Sequence, residues 1–243
     1  NQRGETQGRL TLVTTHTQAR FVLPPAIAAL ARRFPDVSIH LQPASEGEAL
    51  DALAQGQADF AVVSTAGDTP PGGLAVPLYR WRRQVLVPAA HPLATLDRAP
   101  TLAELAALPL ISYESTNKPE SSLRRAFADA GLEPQIAMTA RDADLIKTYV
   151  RAGLGVGLLA EMAVSARDDA DLRALPAPAA IPDCTSWAVL PRERVLRDYA
   201  LELLLALAPQ LDRSDLKRAV AGHDSPAWPQ PPTWVDLSQA ITN

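Results

Sequence analysis

The sequence is poor in the residues that announce chemistry. A single cysteine, Cys184, excludes an intrachain disulfide framework and any multi-cysteine metal site. Four histidines, His16, His40, His91 and His223, are scattered without the spacing a metal site needs. There is no G-x-S-x-G elbow and no phosphate-binding P-loop. Aromatic residues make up only 5% of the chain. The longest unbroken apolar runs, Ala26–Ala31 and Leu203–Ala208, fall far short of the ~20 residues that span a bilayer. No secretion signal opens the chain, because Asn1–Gly8 is polar and lacks an apolar segment. No excess of positive charge is present either. With 23 Lys+Arg against 27 Asp+Glu the net charge is -4, unlike a polypeptide that holds nucleic acid by itself.

What is present is a large apolar fraction. Hydrophobic residues are 47% of 243, enough for a real core and incompatible with a disordered chain. Strand-like and helix-like segments alternate, which predicts an α/β fold with mostly parallel sheets. Strands are expected at Arg9–Thr14, Val37–Leu41, Ala58–Ser64, Leu110–Tyr113, Gln135–Ala140, Gly155–Ala160 and Thr185–Leu190, with two more around Arg80–Arg83. Helices are expected at Gln18–Phe34, broken or restarted at Pro24–Pro25, and at Gly47–Gln55, Leu102–Ala107, Pro119–Ala130, Asp142–Arg151 and Val195–Ala208. Ala174–Pro182 reads as a proline-rich crossover. Two α/β modules follow, with 9–80 and 183–210 forming the first and 81–182 the second. Residues 211–243 read as a C-terminal extension, with helix potential early and a tail bearing proline and tryptophan.

Several loops carry clustered donors. Thr14–Arg20 (TTHTQAR) stands where a strand hands over to a helix. A helix entrance favours an anion, and threonine and glutamine donors can complete its shell. A plain N-cap at Thr15 or Thr17 is an equally good reading. Ser64–Thr65 ends a buried strand, where ligands of open α/β sheets collect, or marks a polar strand exit. Tyr113–Pro119 (YESTNKP) offers Ser115, Thr116, Asn117 and Lys118, or simply a helix start. Asp142 and Asp144 suit helix capping better than acid–base catalysis, and Lys147 reads as a solvated lysine. Gly153, Gly155 and Gly157 only partly resemble a dinucleotide loop, because Leu158 occupies the position of the last required glycine. Cys184 reads as a buried structural thiol without a local basic partner. No cofactor, metal or catalytic group is indicated.

The motif TTHTQAR resembles the effector-binding region of LysR-type transcriptional regulators, in particular their CysB/Cbl branch. Similar stretches continue at 33–37 (RFPDV), 56–63 (GQADFAVV), 87–94 (VPAAHPLA) and 142–160 (DADLIKTYVRAGLGVGLLA). The resemblance covers roughly 9 to 215. It implies two Rossmann-like subdomains of the periplasmic-binding-protein type 2 kind, joined by two crossover strands, with a small effector in the cleft between them. It implies a cytoplasmic, homodimeric or homotetrameric regulator that meets DNA only through an N-terminal winged helix-turn-helix not included in this chain. Asn1–Gly8 would be a linker remnant. It also implies a sulfate-like anion or related metabolite, such as adenosine phosphosulfate or acetylserine, as effector. Its contacts would be Thr15, Thr17, Gln18, Ser64 and, in the second module, Thr116 or Lys118. The loop at 114–120 (ESTNKPE) departs from the family pattern, since the expected ligand threonine aligns near Lys118. Subunit contact would involve the helices at 18–34 and 121–130. A periplasmic oxyanion-binding protein of a transporter is the alternative, and an enzyme on the same scaffold lacks a candidate nucleophile.

Overall fold

A computed structural model describes residues 7–192, 194–223 and 227–242. The chain divides into two compact units, one built from residues up to Arg80 and from Thr185 onward, the other from Trp81 to Cys184. The architecture is α/β, each unit holding one five-stranded sheet of mixed direction.

The first unit begins with β1 (Gly8–Thr14), α1 (His16–Phe21) and α2 (Pro24–Arg33). The proline pair restarts the helix as expected, because proline is tolerated in the first helical turn and not in the interior. Then come β2 (Val37–Pro43), α3 (Glu46–Ala54), β3 (Phe60–Thr65) and β4 (Leu74–Trp81). After the second unit the chain returns as β10 (Cys184–Leu190), α7 (Asp198–Leu207), α8 (Arg213–Val220) and α9 (Trp234–Thr242). The strand order is β2-β1-β3-β10-β4. β1 lies parallel to both β2 and β3, whereas β10 runs antiparallel to β3. The central strand β3 is apolar on both faces and buried along Phe60–Ser64, as a strand covered on each side must be. Val13, Ala49, Leu53, Ala61, Val63 and Val189 form one core cluster between sheet and α3. Ser45 caps α3 by accepting from Glu48 N at 3.2 Å.

The second unit comprises β5 (Arg83–Pro88), α4 (Leu102–Ala106), β6 (Pro109–Tyr113), α5 (Ser122–Asp129), β7 (Gln135–Ala140), α6 (Ala143–Arg151), β8 (Val156–Ala160) and β9 (Leu172–Pro176). Their order is β7-β6-β8-β5-β9. The β6 pairs with β7 and β8 are parallel, and the β5 pairs with β8 and β9 are antiparallel. Val85, Leu110, Leu123, Phe127, Val156, Leu158 and Leu175 belong to its core. A reciprocal capping box of Thr101 and Glu104 opens α4, and Asp142 Oδ1 accepts from Leu145 N at 2.8 Å to open α6. Asp142 is therefore a cap, as its place before an apolar run suggested.

Four sequence expectations are corrected here. The crossover expected at 174–182 begins with an edge strand, β9, because Leu172–Pro176 completes the hydrogen bonding of β5. Within the tail, α9 follows the proline-rich stretch. By its contacts the segment from 211 onward belongs to the first unit rather than standing apart. Gly8 is the first residue of β1, and the rest of the expected linker, save Gln7, lies outside the described residues. The apolar face of α5 (Leu123, Ala126, Phe127) is buried in its own unit, so that face is not available for subunit contact.

Candidate functional site

β1 ends at Thr14 and α1 begins two residues later, so Thr15, Thr17 and Gln18 sit at the carboxyl end of the sheet, where α/β folds place ligands. Thr15 occupies the N-cap position with extended backbone, yet its side chain makes no capping hydrogen bond. The first turn of α1 contains no acidic residue. Thr15 is half-buried and Thr17 is 7% exposed. The hydroxyl of Thr14 points inward instead and donates to Val62 O at 2.9 Å.

Gln18 is 1% exposed and is held from two sides. Its Nε2 donates to Ser186 Oγ at 3.3 Å, and its Oε1 accepts from the phenol of Tyr79. Ser64 Oγ lies 2.9 Å from Ser186 Oγ. Gln18, Ser64, Tyr79 and Ser186 thus form one buried polar network on β1–α1, β3, β4 and β10. Burial raises the pKa of the Tyr79 phenol far above its ordinary value, partly opposed by a hydrogen bond with Ser186. Tyr79 therefore stays a neutral donor. The Ser64 amide donates to Glu46 Oε1 at 3.1 Å, so its main-chain N–H is already engaged by a carboxylate. His16 Nδ1 is buried and has no hydrogen-bond partner, an orphan that a ligand group or a water could satisfy.

In the second-unit loop Glu114–Asn117 forms a 3₁₀ turn, the helix α5 starts after Ser121, and Thr116 is 4% exposed. The carbonyl of Thr116 accepts from Arg124 Nε at 2.6 Å, which fastens the turn to α5. Lys118 follows, exposed, and Ser121 caps α5 through Arg124 N at 3.3 Å. Of the six residues singled out from sequence, the structure connects Gln18 and Ser64 through Ser186, while Thr15 and Thr17 stand beside Gln18. Sequence reasoning missed Ser186 and Tyr79. A strand alternation signal did exist for Ser186, whose neighbours Cys184 and Ala188 share its inward parity.

Two other expectations fail. Lys147 is 5% exposed, not solvated, because it donates to Ala163 O at 2.8 Å and to Asp169 Oδ2 at 3.3 Å. Cys184 is buried but does have a basic neighbour, Arg83, whose Nη2 donates to Sγ at 3.4 Å and also to Ser122.

Residues 3–212 match the family model described as the LysR substrate binding domain. The chain belongs to this family. It is 38% identical over 217 residues to the HTH-type transcriptional regulator CysB of Burkholderia cenocepacia, covering 89% of this chain and 69% of that protein. It is 37% identical over 216 residues to the HTH-type transcriptional regulator cbl of Escherichia coli, covering 89% of this chain and 68% of the relative. The crystal structure of the cofactor-binding domain of the Cbl transcriptional regulator superposes with a TM-score of 0.80 at 36% identity, covering 89% of this chain and 94% of that one. The chain therefore spans about two thirds of the full-length regulators it matches. Its relatives are transcriptional regulators and not enzymes, which displaces the enzyme reading. No helix among the described residues is long and apolar enough to cross a membrane.

Proposed function

We propose that this LysR-family domain senses a sulfate-like anion or a related sulfur metabolite, with sulfate, adenosine phosphosulfate and acetylserine as the candidates, within a regulator of sulfur assimilation or sulfonate use. The observation that carries the reading is the uncapped entrance of α1. Thr15 leaves its hydroxyl out of the helix, no acidic side chain occupies the first turn, and Thr17, Gln18 and Ser64 stand alongside. Neutral donors of this kind can hold an oxyanion by hydrogen bonds that strengthen with the ligand's charge. The rigid Gln18–Ser186–Ser64 network fixes the donors before the ligand arrives, which reduces the ordering cost of binding. Thr116 and Lys118 are proposed as effector contacts of the second unit, Lys118 adding a positive charge.

The intact regulator would be a homodimer or homotetramer in the cytoplasm, meeting DNA through an N-terminal winged helix-turn-helix. The effector would act by binding one arrangement of the assembly better than another, and its influence cannot exceed that difference in affinity. Titration calorimetry with sulfate, adenosine phosphosulfate and acetylserine tests this. Binding of one of them, lost in the Thr17→Ala/Gln18→Ala double variant with folding intact by circular dichroism, is expected. Absence of heat with all three, or binding unchanged in the variant, overturns it.

A further inference from the structure

We propose that the first unit holds a second ligand site, in the groove between β4, β10 and the C-terminal segment, and that this site takes an aromatic carboxylate or sulfonate. The groove has a volume of about 580 Å³, within the range of small-molecule pockets. Trp187, Trp228, Arg80, Arg192, Pro229 and Pro231 contribute to its lining. Among the described residues, no aspartate or glutamate lines it.

The charge is the first argument. Arg33, Arg98, Arg151 and Arg213 each pair with a carboxylate. Arg80 and Arg192 make no ion pair among the described residues. Among the described residues their side chains donate to main-chain oxygens, Arg80 Nε to Pro231 O at 3.3 Å and Arg192 Nη2 to Gly73 O at 3.4 Å. Two guanidinium groups thus line one groove with no carboxylate paired to either among the described residues, in a chain of net charge -4. A guanidinium fork matches a planar carboxylate or a sulfonate better than a point cation does.

The aromatic lining is the second argument. Trp187 Nε1 donates to Thr65 Oγ1 at 2.9 Å, which fixes the indole plane. Trp228 is carried on a segment rich in proline, whose ring locks the backbone and lowers its freedom. That segment is anchored: Arg80 N donates to Pro232 O at 2.8 Å, Arg80 bridges Thr233, and Trp234 lies 5.7 Å from the Tyr79 ring. Two indoles lining the groove beside two cations suit a flat apolar body with an anionic end.

This site is distinct from the one proposed above. Side chains alternate across a strand, so Trp187 and Thr185 lie on the opposite face of β10 from Ser186, which belongs to the Gln18 network. One wall, Trp228 to Pro231, also lies beyond residues 3–212 that match the family. The groove is therefore a property of this chain's C-terminal segment.

Calorimetry with naphthalene-2-sulfonate tests the inference, with naphthalene-2-methanol as neutral analogue and methanesulfonate as the anion without a ring. The aromatic sulfonate is expected to bind at least about tenfold more tightly than either analogue, because each lacks one of the two contacts. Arg192→Gln and Trp228→Ala are each expected to weaken it at least about tenfold with unchanged thermal unfolding. Thr17→Ala is expected to leave it unaltered, and added inorganic sulfate to leave it undisplaced, which separates failure here from failure of the sulfur-effector reading. No binding at ~5 mM, equal affinity for the neutral analogue, or full affinity in both groove variants overturns the proposal.

Discussion

Ser64 Oγ and Ser186 Oγ lie 2.9 Å apart across the antiparallel pair of β3 and β10, and Ser186 also accepts from Gln18. One hydroxyl thus joins the first strand–helix turn to a strand that returns 168 residues later. Replacing it removes a partner from three buried polar groups at once, Gln18, Ser64 and Tyr79. Ser186→Ala is expected to destabilise the domain by about 1–3 kcal/mol, read from urea unfolding. A cost near zero would show that Gln18 and Ser64 find other partners.

Tyr79→Phe leaves Gln18 Oε1 buried without its donor and is expected to cost about 1–3 kcal/mol. The same phenol gives a pH signature. Burial raises its pKa in the folded state, so the folded protein keeps the proton that the unfolded chain loses. Its contribution is complete below the unfolded value of ~10 and falls as pH rises beyond that. Stability measured between about pH 9 and 11 should decline less steeply in Tyr79→Phe than in the parent.

Asp169 holds the buried Lys147 and also Arg151, at 3.3 and 2.9 Å. Burial pushes the Asp169 pKa up, but the Ser165 amide, Arg151 and Lys147 together bring it below the ordinary carboxylate value. The stabilisation it provides is therefore present above the unfolded pKa of ~3.9 and is lost as pH falls through the lower, folded value. Asp169→Asn removes the buried counter-charge of the Lys147 ammonium, while the more exposed Asp144 carboxylate stays 3.9 Å away. Urea unfolding at neutral pH should show a loss of about 3 kcal/mol, and a loss below ~1 kcal/mol would mean that water reaches Lys147.

Gly155 is required for a close approach rather than for a special backbone angle. A Cβ there would lie 2.5 Å from the carbonyl oxygen of Pro109, at the start of β6. The oxygen is backbone and a Cβ has no rotatable bond between it and its own backbone, so neither can swing away. Gly155→Ala should lower stability by about 1–3 kcal/mol, and a thermal midpoint equal to that of the parent would contradict this contact.

Local pattern carried much of this architecture. Almost continuous apolar runs at 58–63 and 155–160 located the two buried central strands, because a strand covered on both faces has no polar parity. Proline at 24 and 25 restarted a helix, and Asp142 capped one, since both effects act within a single turn. The strand-to-helix handover at TTHTQAR was legible for the same reason. The edge strand β9 was not, because Leu172–Pro176 has strand character only by completing the hydrogen bonds of β5.

The order of residues thus determined by itself most of the strands and helices, the edge strand β9 excepted, and which turn gathers threonine and glutamine donors, because propensity and capping are decided between near neighbours. Only the tertiary structure decided which distant groups those donors meet. Tyr79 reaches Gln18 across 61 residues and Ser186 across 168. It likewise buried Lys147 against Asp169, and it brought Trp228 beside Trp187 and two arginines. No local rule reports such pairings, since burial and partnership are set by the packing of strands far apart in the chain.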